Sequence, residues 1–151
     1  MIAGLGLAGG IRVARLVRSP SGEVAAALRS RVAPADLVAY CPDQLGPSTA
    51  RELPTRTQQV TFPRLESPRF VDWTDYGDRN AAASPRRFVA HATERAGAGR
   101  IWLVWSPGYR TLGTKCERVV DSMSASRAHA AVVLRAHGPD GEAVEVRRFD
   151  P

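Results

Sequence analysis

Lysine is almost missing from this chain. Lys115 is the only one, so the positive side of the net charge of +6 is arginine. An Arg- and Ala-rich composition reflects GC-rich coding as readily as a polyanion partner. No run of five or more like charges occurs, and Arg12, Arg15, Arg18, Arg29, Arg31, Arg51, Arg56, Arg64, Arg69 and Arg79 are scattered. That spacing argues against nucleic acid as a partner. Cysteine is scarce too, with Cys41 and Cys116 alone. No CxxC or HxxxH accompanies them, and His91, His129 and His137 lie far from them in sequence. A zinc-type metal site is therefore excluded. No apolar run reaches the ~20 residues of a membrane span. No internal repeat or low-complexity tract is present.

What is there is an ordinary globular balance. Hydrophobic residues make up 44% and charged residues 24% of the 151 positions. A chain of this length forms one domain with a real core.

The opening MIAGLGLAGGI spells G-x-G-x-x-G at Gly4, Gly6 and Gly9. A dinucleotide loop needs a strand before its first glycine and an acidic residue about 20 positions on, at the end of a second strand. Only Met1, Ile2 and Ala3 precede Gly4, and the nearest acid, Glu23, opens a helical stretch. No cofactor is expected. Residues 1–11 are uncharged and rich in small residues, and Arg12, Arg15 and Arg18 follow them. A secretory signal places its charges first. Residues 1–18 thus read as the last half of a transmembrane helix, with Met1 not its natural start. A short N-terminal helix packed on the domain is the alternative. Residues 19–151 form the soluble domain.

Helices are expected over Glu23–Val32, from Ser48 (as cap) to Leu53, over Pro85–Ala96 and over Thr114–Arg127. Strands are expected over Asp36–Cys41, Gln58–Phe62, Arg100–Ser106, His129–Ala136 and Ala143–Phe149, with a hairpin turn at Gly138–Gly141. Residues 63–84 read as irregular. Alternating strands and helices predict a three-layer α/β fold with a mostly parallel, Rossmann-like sheet. The last hairpin adds an antiparallel edge strand. Trp102 and Trp105, at odd spacing in one strand, point to opposite faces and into the core.

The pattern then resembles a known family. Gly22-Glu23-Val24-Ala25, Asp36 opening the first strand, and Cys41-Pro42-Asp43-Gln44-Leu45-Gly46-Pro47 carry the likeness, with Val71-Asp72-Trp73-Thr74-Asp75-Tyr76 and Ile101-Trp102-Leu103-Val104. Together they resemble the extracytoplasmic C-terminal domain of actinobacterial multi-pass GT-C membrane glycosyltransferases. These are polyprenol-phosphate-sugar-dependent enzymes related to protein mannosyltransferases. CPDQLGP is the specific part; the rest is a general α/β pattern. The resemblance implies a domain outside a bacterial cell membrane, with a polyprenyl-phosphate sugar or a glycan acceptor as partner. It also implies that the catalytic carboxylate lies in an early extracytoplasmic loop outside this chain, so no catalytic residue is assigned here. The arginines after residue 11 point the other way, since the positive-inside rule would put the domain in the cytoplasm.

In a doubly wound sheet of order 2-1-3, Cys41 at the end of the first strand and Cys116 at the start of the helix after the third share the carboxyl edge. A Cα separation of about 4.4–6.8 Å allows a disulfide there; two buried free thiols are the alternative. Asp43 and Gln44 occupy the usual ligand position of an open α/β sheet, which a disulfide at Cys41 would staple shut. Asp72, Trp73, Asp75 and Tyr76 offer carboxylates and aromatic faces to a sugar or cation, or else cap turns and anchor a loop. Tyr109 and Arg110, with Lys115, crown the same edge as headgroup contacts or as solvated surface. No Ser-His-Asp or Cys-His order emerges. The first functional expectation is the non-catalytic C-terminal domain of a membrane glycosyltransferase. The others are a free-standing α/β module binding a nucleotide or small ligand, and a membrane-tethered interaction domain.

Overall fold

A computed structural model describes residues 19–138 and 141–151. The transmembrane stub expected at 1–18 lies outside the described residues, as do Pro139 and Asp140 of the hairpin turn. Among the described residues no helix is long and apolar enough to cross a membrane.

The elements follow the sequence closely. They are α1 (Ser21–Arg29), β1 (Leu37–Cys41), α2 (Gly46–Arg51), β2 (Gln58–Thr61), α3 (Tyr76–Ala82), α4 (Pro85–Ala96), β3 (Ile101–Trp105), α5 (Lys115–Ser126), β4 (His129–His137) and β5 (Ala143–Asp150). Short 3-10 turns at Asp43–Leu45 and Arg110–Leu112 follow β1 and β3.

The sheet order is β2-β1-β3-β5-β4, with β2, β1 and β3 parallel and β5 antiparallel to both its neighbours. β1 (LVAYC) and β3 (IWLVW) are buried at every position. A strand covered on both faces reads as a continuous apolar run for that reason. Leu37, Ala39, Cys41, Ile101, Leu103 and Trp105 face α4 and α5, through Phe88, Val89, Ala92, Val119 and Met123. Val38, Tyr40, Trp102 and Val104 face α1, through Val24, Ala25 and Leu28. Helices on both faces make the three layers. Trp102 and Trp105 fall in opposite cores, as their spacing predicts.

The hairpin lies at the edge of the sheet as expected, with β5 interior and β4 outermost. The reason for that order is apolar content. β5 sends Val144 and Val146 into one core and Phe149 into the other, whereas His129 to Val132 of β4 are exposed. Two expectations change. Ser48 caps nothing: α2 begins at Gly46, directly out of the 3-10 turn, with Pro47 in its first turn. The fixed φ of proline suits that position. The stretch 63–84, expected to be irregular, contains a short helix, α3.

Two buried carboxylates lock the sheet. Asp36 accepts from Ala33 N at 3.0 Å, Arg100 N at 2.9 Å and Trp102 Nε1 at 2.9 Å, tying the starts of β1 and β3. Glu145 accepts from Trp105 Nε1 at 3.0 Å and Arg135 Nε at 2.9 Å, and from Arg147. Burial works to raise the Glu145 carboxyl, yet these donors together hold it below its ordinary value.

Candidate functional site

The carboxyl edge of the parallel strands gathers most of the residues singled out in the sequence. The chain leaves β1 at Cys41 and turns through Asp43–Leu45 into α2 on one face; it leaves β3 toward α5 on the other. Such a point of divergence is where open α/β sheets bind ligands. Here Cys41 and Cys116 form a disulfide across it, with a Cα separation of 5.6 Å. Both cysteines are fully buried and neither is free. On the opposite face of the sheet from the bridge, against α1 and α2, lies a hollow of ≈ 50 Å³ lined by Gln44, Leu45, Thr49, Val104 and Val144. Ligand pockets for small organic molecules run to roughly 300 Å³ and more. The hollow suits a few waters, not a nucleotide.

Asp43 and Gln44 face inward rather than into an open crevice. Tyr76 Oη donates to Asp43 Oδ1 at 2.8 Å, and Gln44 Nε2 donates to Tyr76 Oη at 2.8 Å. The triad links the turn after β1 to the first residue of α3. Asp43 is 3% exposed. Burial raises its carboxyl above the ordinary value, against the Tyr76 hydroxyl, two backbone N–H groups and the Arg64 charge. Burial also raises the Tyr76 phenol, with Asp43 adding to the effect and Tyr109 nearby. A neutral tyrosine donating to a shielded carboxylate is a stable arrangement rather than an acid poised to act.

Asp72 organises the neighbouring loop. Its Oδ1 accepts from Thr74 N at 2.9 Å, an Asx-type turn, and its Oδ2 accepts from Arg64 Nη1 at 2.6 Å. Arg79 Nη1 stands 3.6 Å from the same oxygen. The Thr74 N–H, then Arg64, hold the Asp72 carboxyl down at about 2. Trp73 packs its ring 5.0 Å from that of Tyr76 yet remains 62% exposed. It is therefore no core anchor, unlike Tyr76. Asp75 is exposed and takes the left-handed φ of 51° just before α3. The structure thus brings Asp43, Gln44, Asp72, Trp73, Tyr76 and Tyr109 to one region. It leaves Asp75 and Arg110 pointing at solvent. Lys115 is not a free cation: its Nζ donates to the carbonyls of Asn80 and Ala81, closing the end of α3.

Sequence reasoning missed the cavity next to this cluster. It measures ≈ 330 Å³ and is lined by Arg64, Arg79 and Arg87, with Glu66, Ser84 and an apolar wall that includes Leu65 and Phe88. Arg64 comes from the loop after β2, Arg79 from α3 and Arg87 from the first turn of α4. The available signal was that Arg64 and Arg79 stand eight and seven residues either side of Asp72. Among the described residues no cluster of His, Cys, Asp and Glu suits a metal ion.

Fold and site together define a three-layer α/β domain, disulfide-closed at its switch point, with an arginine-lined cavity at the same edge. No protein-family model matches the chain, and neither does any curated protein or solved structure.

Proposed function

We propose that this chain is the extracytoplasmic, non-catalytic C-terminal domain of a bacterial membrane glycosyltransferase that moves sugar from a polyprenyl-phosphate donor to a cell-envelope acceptor. The observation that carries the reading is the Cys41–Cys116 disulfide. Structural disulfides persist in oxidising compartments and are rare in the reducing cytosol. The bridge therefore favours the outer side of the membrane over the cytoplasmic placement suggested by Arg12, Arg15 and Arg18. Attachment to the membrane is through the N-terminal segment or through transmembrane helices of the parent enzyme. The exposed ring of Trp73, beside Asp72, offers a flat face and an acceptor oxygen, the usual partners of a sugar. The engaged states of Asp43 and Asp72 suit support and recognition better than proton transfer. A nucleotide-binding module is the weaker reading, because the crevice such a module uses is bridged and small.

The experiment is a topology and transfer assay in the native host. A tagged chain is followed through membrane fractionation, and intact spheroplasts are treated with protease. Sugar transfer from a polyprenyl-phosphate donor is then measured in membranes carrying wild type or Trp73→Ser. The expected result is membrane association, digestion from outside and reduced transfer in the variant. A chain recovered from the cytosol with both thiols reduced rejects the reading.

A further inference from the structure

We infer that the cavity between the loop after β2, α3 and the start of α4 is a binding site for a phosphate ester, held by Arg64, Arg79 and Arg87. Its volume of ≈ 330 Å³ sits at the lower end for pockets that take a small organic molecule. Three guanidinium groups from three separate elements line it, against Glu66 on the wall and Asp72 behind Arg64 and Arg79. The arginines outnumber the acids, so the cavity favours an anion. Guanidinium groups present flat forks that match phosphoryl oxygens.

Two of the three arginines are held in advance. Arg64 is fixed by Asp72 at 2.6 Å and Glu66 at 3.0 Å, and Arg79 donates to the Asp72 carbonyl at 2.5 Å. Arg79 Nε is shut off from solvent without an acceptor. Arg87 is exposed, and among the described residues its side chain makes no hydrogen bond within the protein. Arg87 and the cap residue Ser84 carry the N-terminus of α4, a helix of 12 residues, to the cavity. The positive end of its dipole adds to the arginine field. Leu65, Ala83 and Phe88 supply an apolar wall for the organic part of the ester. Phe70 and Trp73, 70% and 62% exposed, flank Asp72 on the adjoining loop, which suits an ester carried on a lipid. The site stands on this geometry. Only a lipid-linked source rests on the transferase reading.

Two probes distinguish the sources. A hexose 1-phosphate is titrated calorimetrically, and phosphatidylcholine vesicles with and without a polyprenyl phosphate are used for co-sedimentation. Wild type, Arg87→Glu, Arg87→Ser and a charge control, Arg51→Glu at the far end of α2, are compared. Saturable binding is expected in at least one arm. Charge reversal at Arg87 weakens it about tenfold or more, by loss of a charge-assisted bond, and Arg87→Ser weakens it less. Arg51→Glu binds as wild type does. Binding of the soluble ester alone assigns a free phosphate, and binding of the polyprenyl-phosphate vesicles alone assigns a lipid headgroup. Either outcome keeps the site, even if the topology assay rejects the transferase reading. The inference is overturned if neither probe binds, or if Arg87→Glu melts like wild type and binds as tightly.

Discussion

Asp43 shows how one buried side chain sets a pH dependence. Burial raises its carboxyl above the unfolded value, so the folded state holds its proton more tightly. That contribution to stability is complete below the ordinary aspartate range, about 4, and is lost as pH rises through the raised folded value. Asp72 has the opposite sign. Its carboxyl is held at about 2, so its contribution is present above the ordinary range and is lost in acid. Asp43→Asn keeps an oxygen for the Tyr76 hydroxyl but cannot titrate. The melting temperature of the variant relative to wild type is therefore expected to climb as pH rises from about 4 and then level off. Asp72 is common to both proteins and cancels. A difference that stays flat over that window would mean that Asp43 titrates normally.

At the scale of elements, the turn from β1 into α2 is decided by space. Gly46 has φ −70° and ψ −56°, a helical conformation open to any residue. Its role is instead close approach, because a Cβ there would stand 2.5 Å from Pro68 Cβ in the loop after β2. Alanine would gain about 1 kcal/mol in helix propensity. Overpacking against the buried ring of Pro68 costs about 1–3 kcal/mol. Gly46→Ala is expected to lower stability in urea unfolding; a gain would show that the loop can withdraw. The same approach fixes the base of the Arg64–Asp72 loop, so the cavity is expected to loosen with it. The hairpin offers a second example at this scale. Which of β4 and β5 lies inside was settled by the burial of Val144, Val146 and Phe149, not by their order in the chain.

For the whole molecule the disulfide is the dominant single constraint. It joins positions 75 residues apart, β1 to α5, across the central strands. Chain-entropy reasoning gives about 4 kcal/mol for a loop of that size. Reduction is expected to lower the melting temperature on the order of 10 °C. Denatured but unreduced protein should show no thiol that reacts with an aromatic disulfide reagent. Two reactive thiols per chain would remove both the bridge and the chief support for an extracytoplasmic setting. The arginine-lined cavity, larger than the hollow beside β1, lies to one side, between α3 and α4.

The amino-acid sequence by itself determined the α/β class and the order of nearly all elements. Local signals suffice for that: LVAYC between Pro34 and Pro42, and the short aromatic and β-branched run IWLVW, read as buried strands, and Ser84-Pro85 and Gly97 mark the ends of α4. It also placed Cys41 and Cys116 on one edge, since parallel strands all end on the same side of the sheet; that their strands are neighbours rested on an assumed order of 2-1-3. Tertiary structure decided the rest. Whether two cysteines at one edge are bonded depends on a separation of a few ångströms, which spacing cannot give. The Asp43–Tyr76 bond joins residues 33 apart, and the short α3 holds together through Tyr76 and Lys115 rather than through its own periodicity. Arg64, Arg79 and Arg87 look like three among many scattered arginines. Only folding turns them toward one cavity, because a charge has no sequence period and meets its neighbours through space.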